Sequence, residues 1–141
     1  GIYLVLQRVF LGRFSFERCV SSPQVNFTGT AIFKQRHDHQ ILYHEQGQYQ
    51  LEEHEQSFYQ NRIYRIDKST LYIYKNDLTL LHEFVLEEKP MFPFKLTHMH
   101  PCKNDQYFLE MVIHSLDHFS TSYTVRGPSK NYKIHTTFTR A

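Results

Sequence analysis

Residues 27–33 read Phe-Thr-Gly-Thr-Ala-Ile-Phe, and residues 94–100 read Phe-Lys-Leu-Thr-His-Met-His. Side chains alternate in character with a period of two in both stretches. Successive side chains of a β-strand point to opposite faces of the sheet, so this alternation is typical of strands. Tyr, Phe, Ile, Val and Thr, which favour strands, are spread through most of the rest of the chain.

Turn-forming clusters recur at near-regular intervals and divide the chain into about ten strands. We expect these strands near residues 14–20, 26–35, 40–50, 57–66, 70–75, 79–86, 94–100, 106–114, 118–126 and 130–140. Residues 3–11 are expected to form a short helical turn before them. Short strands joined by short turns predict an antiparallel meander, which protects its edges by closing into a barrel or by splitting into a sandwich.

Length and composition are those of one compact domain covering residues 1–141. Apolar residues make up 40% and charged residues 21% of the chain, which excludes a disordered tail and a coiled coil. The net charge of +2, without a basic stripe, argues against nucleic acid as a partner. Ten histidines and ten tyrosines make the chain unusually rich in groups that could line a polar pocket.

Cysteine content and hydropathy bear on location. The two cysteines, Cys19 and Cys102, are too few for a disulfide framework, and we expect two reduced thiols. No apolar run approaches the roughly 20 residues that span a bilayer, and no signal-peptide pattern is evident. The sequence therefore predicts a cytoplasmic protein without a membrane partner.

Residues 11–18, Leu-Gly-Arg-Phe-Ser-Phe-Glu-Arg, and residues 132–140, Tyr-Lys-Ile-His-Thr-Thr-Phe-Thr-Arg, together resemble the calycin pattern of lipocalins and their relatives. In that pattern a Gly-x-Trp opens the first strand, and an arginine on the last strand packs over the tryptophan. Phe14 stands at the tryptophan position here, and Arg140 ends the last strand. The resemblance implies an all-β, lipocalin-like up-and-down barrel in which a guanidinium over an aromatic ring closes one end.

A second resemblance covers nearly the whole chain and concerns an uncharacterised bacterial domain family of the calycin type. Its signature is a Tyr-x-Glu-x-Gly strand, a His-x-Cys-x-x-Asp-x-Tyr strand pair and a terminal Gly-Pro-x-Lys-x-Tyr hairpin. All three are present, at residues 43–47, 100–107 and 127–132. This resemblance implies a barrel but no particular activity, so any site has to be identified from the residues.

The faces of the strands that carry bulky apolar residues also carry many polar ones. They are Tyr43, Glu45, Arg62, Tyr64, His82, His98, His100, Tyr107, Tyr123 and Tyr132. Buried polar groups need partners. Either they satisfy one another, with Glu45 paired to Arg62, or they converge on a ligand in a cavity.

His98 and His100 share one strand face and could both reach one metal ion, with His82, Cys102, Asp105 or Tyr107 completing a zinc site. Alternatively, they form a hydrogen-bonded pair that lines a pocket. Haem is a further candidate, with His82, His98, His100 or His135 as axial ligand. Neither zinc nor haem is indicated by a complete motif, and Pro101 is expected to break the strand just after His100.

The last hairpin contributes positive charge. From residue 118 onward the chain has four basic residues, including Lys130, and no carboxylate. Lys130 and Arg62 could therefore select an anionic ligand at the barrel mouth. The leading hypothesis is non-covalent binding of a small organic ligand inside the barrel. Two alternatives stay open: an enzyme that uses the same pocket for acid–base or metal-assisted chemistry, and a filled barrel that acts as an interaction module.

Overall fold

The computed structural model of the protein describes residues 1–37 and 39–141. In this part of the chain one helix precedes ten strands, as the sequence predicts. The elements are α1 (Ile2–Phe10), β1 (Gly12–Ser21), β2 (Gln24–Gln35), β3 (Gln40–Leu51), β4 (His54–Asp67), β5 (Thr70–Lys75), β6 (Leu80–Val85), β7 (Phe94–Cys102), β8 (Asp105–Ser115), β9 (His118–Gly127) and β10 (Lys130–Arg140).

The ten strands form one antiparallel sheet that curls into a lipocalin-like barrel. Their order is β6-β5-β4-β3-β2-β1-β10-β9-β8-β7, so the first strand pairs with the last. Phe14 lies opposite Arg140, and Phe16 lies opposite Phe138. The sheet has no hydrogen-bonded ladder between β6 and β7 in the described chain. We call this open line between the two strands the seam.

Helix α1 closes one end of the barrel. Ile2, Leu6, Val9 and Phe10 are buried, because helical spacing places them on one face. The Phe10 ring lies 5.4–5.5 Å from the rings of Phe33, Tyr64 and Phe119. An aromatic core therefore fills this end of the barrel.

Arg140 fastens α1 to the barrel. Its guanidinium lies over the Phe14 ring, with Cζ 4.6 Å from the ring centroid. It also donates hydrogen bonds to the carbonyl oxygens of Arg8, Val9 and Leu11 at 2.6–3.0 Å. Terminal helix carbonyls carry partial negative charge and lack partners within the helix. The residues that carry the calycin-like pattern thus meet in space and hold the helix in place.

Two glycines allow β2 and β3 to approach closely. Gly29 lies opposite Gly47, and a Cβ on either residue would collide with main-chain atoms of the neighbouring strand. The close approach of the two strands therefore explains why the last residue of the Tyr-x-Glu-x-Gly strand is glycine, Gly47.

One local expectation is wrong. Pro101 does not break the strand after His100, because β7 continues through it to Cys102. Since β7 pairs only with β8 and faces the seam on its other side, the missing N–H of Pro101 disturbs no ladder there.

No helix within the described residues is long and apolar enough to cross a membrane.

Candidate functional site

A cavity of about 380 Å³ occupies the half of the barrel away from α1. Its wall includes Lys75 and Cys102, which are exposed at strand ends, so the cavity meets solvent there. One part of the wall is apolar and includes Ile73, Leu109, Met111, Val125, Ile134 and Phe138. The remaining wall is polar, and its groups fall into three clusters.

The first cluster is an ion pair at the cavity wall. Arg18 on β1 donates from Nη1 to Glu45 Oε2 at 2.6 Å and from Nη2 to Glu45 Oε1 at 2.9 Å. The Tyr43 hydroxyl donates to the same Oε1 at 2.5 Å, and Arg18 Nε donates to the Thr136 hydroxyl at 2.8 Å. Glu45 is only 1% exposed. Both oxygens of its carboxylate therefore accept hydrogen bonds from protein donors.

Protonation states in this cluster follow from burial and from the paired charges. Burial alone would lower the pKa of Arg18, but the hydrogen bonds and charge of Glu45 outweigh it and raise that pKa. Burial, and then the charge of Glu45, raise the pKa of Tyr43 well above its usual value. Arg18 is thus a cation, Tyr43 is a neutral phenol, and the pair of Arg18 and Glu45 carries no net charge.

Arg62 is the second feature of the wall. Its Nη1 donates to the main-chain oxygen of Asn61 at 2.9 Å. None of the ion pairs formed by the described residues includes Arg62. The side chain is half-buried, and its charge acts on Tyr64, His82 and Tyr123. A guanidinium with four further N–H donors therefore faces the cavity without a carboxylate partner in the described chain.

The third cluster crosses the barrel wall at the seam. His82 on β6 lies 2.9 Å from the Tyr123 hydroxyl through Nε2, and 3.0 Å from His98 Nδ1 through its own Nδ1. Burial, then the charges of His98, His100 and Arg62, lower the pKa of His82 to about 3. Burial raises the pKa of Tyr123 to about 12. At neutral pH the side chains of His82 and Tyr123 are therefore uncharged. One proton lies in the His82–Tyr123 hydrogen bond and one in the His82–His98 hydrogen bond.

His100 lies beside this cluster on the cavity wall. Its ring centroid is 6.0 Å from that of His82 and 6.5 Å from that of Tyr107. Burial, followed by the charges of His98 and Lys75, lowers the pKa of His100. Its ring nitrogens make no hydrogen bond to another described residue, so a neutral imidazole is open to the cavity.

The structure places eight of the eleven sequence-predicted residues on the cavity wall. They are Tyr43, Glu45, Arg62, Tyr64, His82, His100, Tyr107 and Tyr123. His98 does not line the cavity but is hydrogen-bonded to His82, which does. Tyr132 does not line the cavity. Lys130 is held beside the mouth, where its Nζ contacts Asp105 Oδ2 at 2.9 Å and the Tyr107 hydroxyl at 3.0 Å.

Two expectations about charge are corrected. Glu45 is paired with Arg18 and not with Arg62, because Arg18 shares the inward face of Phe14 and Phe16. The last hairpin does have an acid beside it, since β8 brings Asp105 to Lys130. The hydrogen bonds from Lys130 to Tyr107 and Asp105 raise the pKa of Lys130, and its charge is already neutralised.

The positions of the histidine and cysteine side chains bear on the metal, haem and thiol candidates. Within residues 1–37 and 39–141, no three or more His, Cys, Asp and Glu side chains are grouped so that they could hold a metal ion. His135, one haem-ligand candidate, lies on the outer face and bonds Ser122 through Nδ1 at 2.7 Å. Cys19 and Cys102 are both free thiols and both exposed.

Fold and cavity define a lipocalin-like β-barrel with an internal polar site. The model of a protein family of unknown function, DUF6314, matches residues 10–140. The chain belongs to this family. A search of curated protein sequences finds no significant match.

Solved structures with the same fold include natural and designed barrels. The S-type phycobiliprotein lyase CPES from Guillardia theta has a TM-score of 0.70 at 8% identity, covering 100% of this chain and 93% of the lyase. EF1p2_mFAP2b bound to DFHBI has a TM-score of 0.58 at 12% identity, with 100% of both chains covered. A de novo designed fluorescence-activating β-barrel has a TM-score of 0.53 at 12% identity, with 95% of both chains covered. At such identities the likeness shows the fold alone.

Proposed function

We propose that this protein binds a small organic anion inside the barrel. The observation that carries the proposal is Arg62, a half-buried guanidinium on the cavity wall with no carboxylate partner among the described residues. A partly desolvated cation is costly unless an opposite charge approaches it. A carboxylate, or another planar anion, matches the forked donor geometry of a guanidinium.

Charge balance along the wall supports an anion over a neutral ligand. Arg18 and Glu45 cancel each other, as do Lys130 and Asp105. Arg62 and Lys75 then remain as cations on the wall. The wall therefore has a net positive charge and attracts an anion from solvent.

Size and hydrogen bonding narrow the ligand class. A cavity of about 380 Å³ lies at the lower end of the roughly 300–1,000 Å³ range of ligand pockets. The apolar part of the wall, which includes Ile73 and Phe138, can contact the hydrocarbon or aromatic part of a ligand. Tyr64 and Tyr123, whose pKa values burial raises, remain neutral phenols that can donate to a carbonyl or hydroxyl of the same ligand.

Neighbouring structures are in keeping with this proposal. One similar barrel is bound to DFHBI, and another is a phycobiliprotein lyase. We extend to this chain only the binding of a small molecule by a barrel of this fold. We further propose that the family belongs to the calycin group and that the chain is a single cytoplasmic domain of bacterial origin. The aromatic–arginine closure of Phe14 and Arg140 supports the calycin relationship.

A matched pair of dyes tests the anion site. The anionic dye 8-anilinonaphthalene-1-sulfonate and its uncharged counterpart N-phenyl-1-naphthylamine share the same rings and differ by one sulfonate. We expect Arg62→Gln to weaken binding of the anionic dye about 10- to 100-fold, since a hydrogen-bonded charge pair contributes about 1.5–3 kcal/mol. Binding of the neutral dye is expected to change less than about 2-fold.

Arg13→Gln is the control for net charge, because Arg13 is exposed on β1 next to α1. It should leave both dyes unaffected. Equal loss of both dyes in Arg62→Gln, or no loss of either, would contradict an anion site at Arg62.

A further inference from the structure

Two groups of opposite acid–base character, Tyr123 and His100, line the cavity close to His82. The Tyr123 ring centroid lies 5.5 Å from that of His82, and the His100 ring centroid lies 6.0 Å from it. Both residues are on the cavity wall with Arg62. His100 offers a neutral imidazole without a hydrogen-bond partner among the described residues, and Tyr123 offers a phenol.

Tyr123 also has a path for protons through the barrel wall. Its hydroxyl is hydrogen-bonded to His82 Nε2 at 2.9 Å. His82 Nδ1 is in turn hydrogen-bonded to His98 Nδ1 at 3.0 Å. His82 is 1% exposed, whereas His98 is partly exposed at the seam, where no ladder of the described chain covers it. An imidazole with both nitrogens bonded can accept a proton on one side while it releases one on the other.

We propose that the cavity catalyses proton transfer at a carbon next to a carbonyl, on a 2-oxo acid whose carboxylate is held by Arg62. His100 is the general base and Tyr123 the general acid, and both are catalytic residues. His82 and His98 are positioning residues that orient the Tyr123 hydroxyl and return its proton. This inference rests on the anion site proposed above.

The proton transfer needs water as its co-reactant and no oxidant or reductant. A ring nitrogen of His100 takes the proton from the carbon, and the C–H electron pair forms a C=C bond. The carbonyl electron pair moves to oxygen, which takes the Tyr123 proton and gives an enol. Tyr123 oxygen then takes a proton from His82 Nε2, His82 Nδ1 takes one from His98 Nδ1, and His98 takes one from water. The proton on His100 exchanges with D₂O, and reversal then places deuterium on the carbon.

The pKa directions agree with these roles. The lowered pKa of His100 keeps it uncharged and able to accept a proton at neutral pH. The raised pKa of Tyr123 keeps it protonated. Pairs of titratable groups whose surroundings push their protonation equilibria in such ways are typical of acid–base sites.

Phenylpyruvate is the probe, because it has a carboxylate, a neighbouring carbonyl and one exchangeable methylene. Hydrogen–deuterium exchange of that methylene in D₂O is followed by proton NMR, and binding is measured separately by calorimetry. We expect saturable acceleration by the wild-type protein. Tyr123→Phe and His100→Gln should each reduce the exchange rate about 100-fold, the usual contribution of a general acid or base, with a dissociation constant within about 3-fold of wild type.

Exposed residues provide matched controls. Tyr59→Phe and His135→Gln repeat the same chemical changes on the outer face and should leave exchange unchanged. For the positioning role, His82→Gln should lower the maximal exchange rate while the half-saturating concentration stays constant. A general loosening of the cavity would raise that concentration as well.

The outcomes separate the two proposals. Saturable binding without accelerated exchange, or exchange that persists in both Tyr123→Phe and His100→Gln, overturns the proton-transfer inference and leaves the anion site standing. Absence of saturable phenylpyruvate binding overturns the anion site for this ligand class, and the inference with it.

Discussion

Arg18 and Glu45 form a two-point ion pair inside the barrel, with donor–acceptor distances of 2.6 and 2.9 Å. They come from β1 and β3, the two strands that flank β2. The only carboxylate on the cavity wall is thereby neutralised, in the part of the chain that the structure describes. This pairing is the reason why the positive charge of Arg62 is left for a ligand.

Breaking the Arg18–Glu45 pair from one side should be costly. Arg18→Met leaves a carboxylate that is 1% exposed without its cation, and we expect a loss of about 3–5 kcal/mol in the free energy of unfolding. Urea denaturation followed by tyrosine fluorescence measures it. The double variant Arg18→Met/Glu45→Met should recover more than half of the loss. A loss below about 1 kcal/mol in the single variant would show that the pair is solvated.

Stability should depend on pH through His82. The unfolded His82 has a pKa of about 6.5, whereas the folded one has a pKa of about 3. Between pH 3 and pH 6.5 the unfolded chain binds more protons than the folded chain. The contribution of His82 to the free energy of unfolding is therefore complete above pH 6.5 and is lost as the pH falls towards 3. From pH 7 to pH 5 it amounts to about 2 kcal/mol.

The matched variant His82→Gln isolates this contribution. His98, His100, Tyr123 and Arg62 surround His82, and they remain in the variant. Urea denaturation at pH 7 and pH 5 should therefore show a smaller loss of stability for His82→Gln than for wild type. Identical losses in the two proteins would mean that His82 titrates normally in the folded state.

Arg140 should contribute to stability through its shape as well as its charge. Its guanidinium donates to carbonyls of α1 and to Leu116 O, and Nε donates to Asp117 Oδ1. Lysine keeps the charge but cannot make a planar fork, so we expect Arg140→Lys to lose about 2–3 kcal/mol. Limited proteolysis should then cut within residues 2–10 faster than in wild type. Lys133→Arg, on the same strand and exposed, is the control and should have no effect on either measurement.

Strand alternation predicts most of the cavity wall. Alternation of inward and outward side chains along a single strand can be read from the sequence alone. It correctly places four residues on the inward face: Tyr43, Arg62, His82 and Tyr123. The same alternation through Phe14 and Phe16 places Arg18 on the inward face, so its position was predictable although Arg18 is absent from the predicted site.

Pairings between strands are harder to predict than faces. Arg62 lies opposite Tyr43 in the ladder, while Glu45 reaches across β2 to Arg18, and only the strand order and curvature decide between them. Asp105 meets Lys130 for the same reason. The His82–His98 contact crosses a seam without a ladder in the described chain, so no backbone register could have predicted it.

In the proposed site Arg62 receives the anionic group of the ligand, and the side-chain resonance of Arg62 reports on that contact. In protein labelled with ¹⁵N-arginine, the Arg62 Nε–H signal, assigned by its absence in Arg62→Gln, is followed during titration with benzoate and with benzyl alcohol. These probes share the ring and differ in the carboxylate. We predict a saturable shift of the Arg62 signal with benzoate and little shift with benzyl alcohol, while the Arg13 signal stays constant. An Arg62 signal that does not move with benzoate, or that moves equally with both probes, would rule out Arg62 as the anion site.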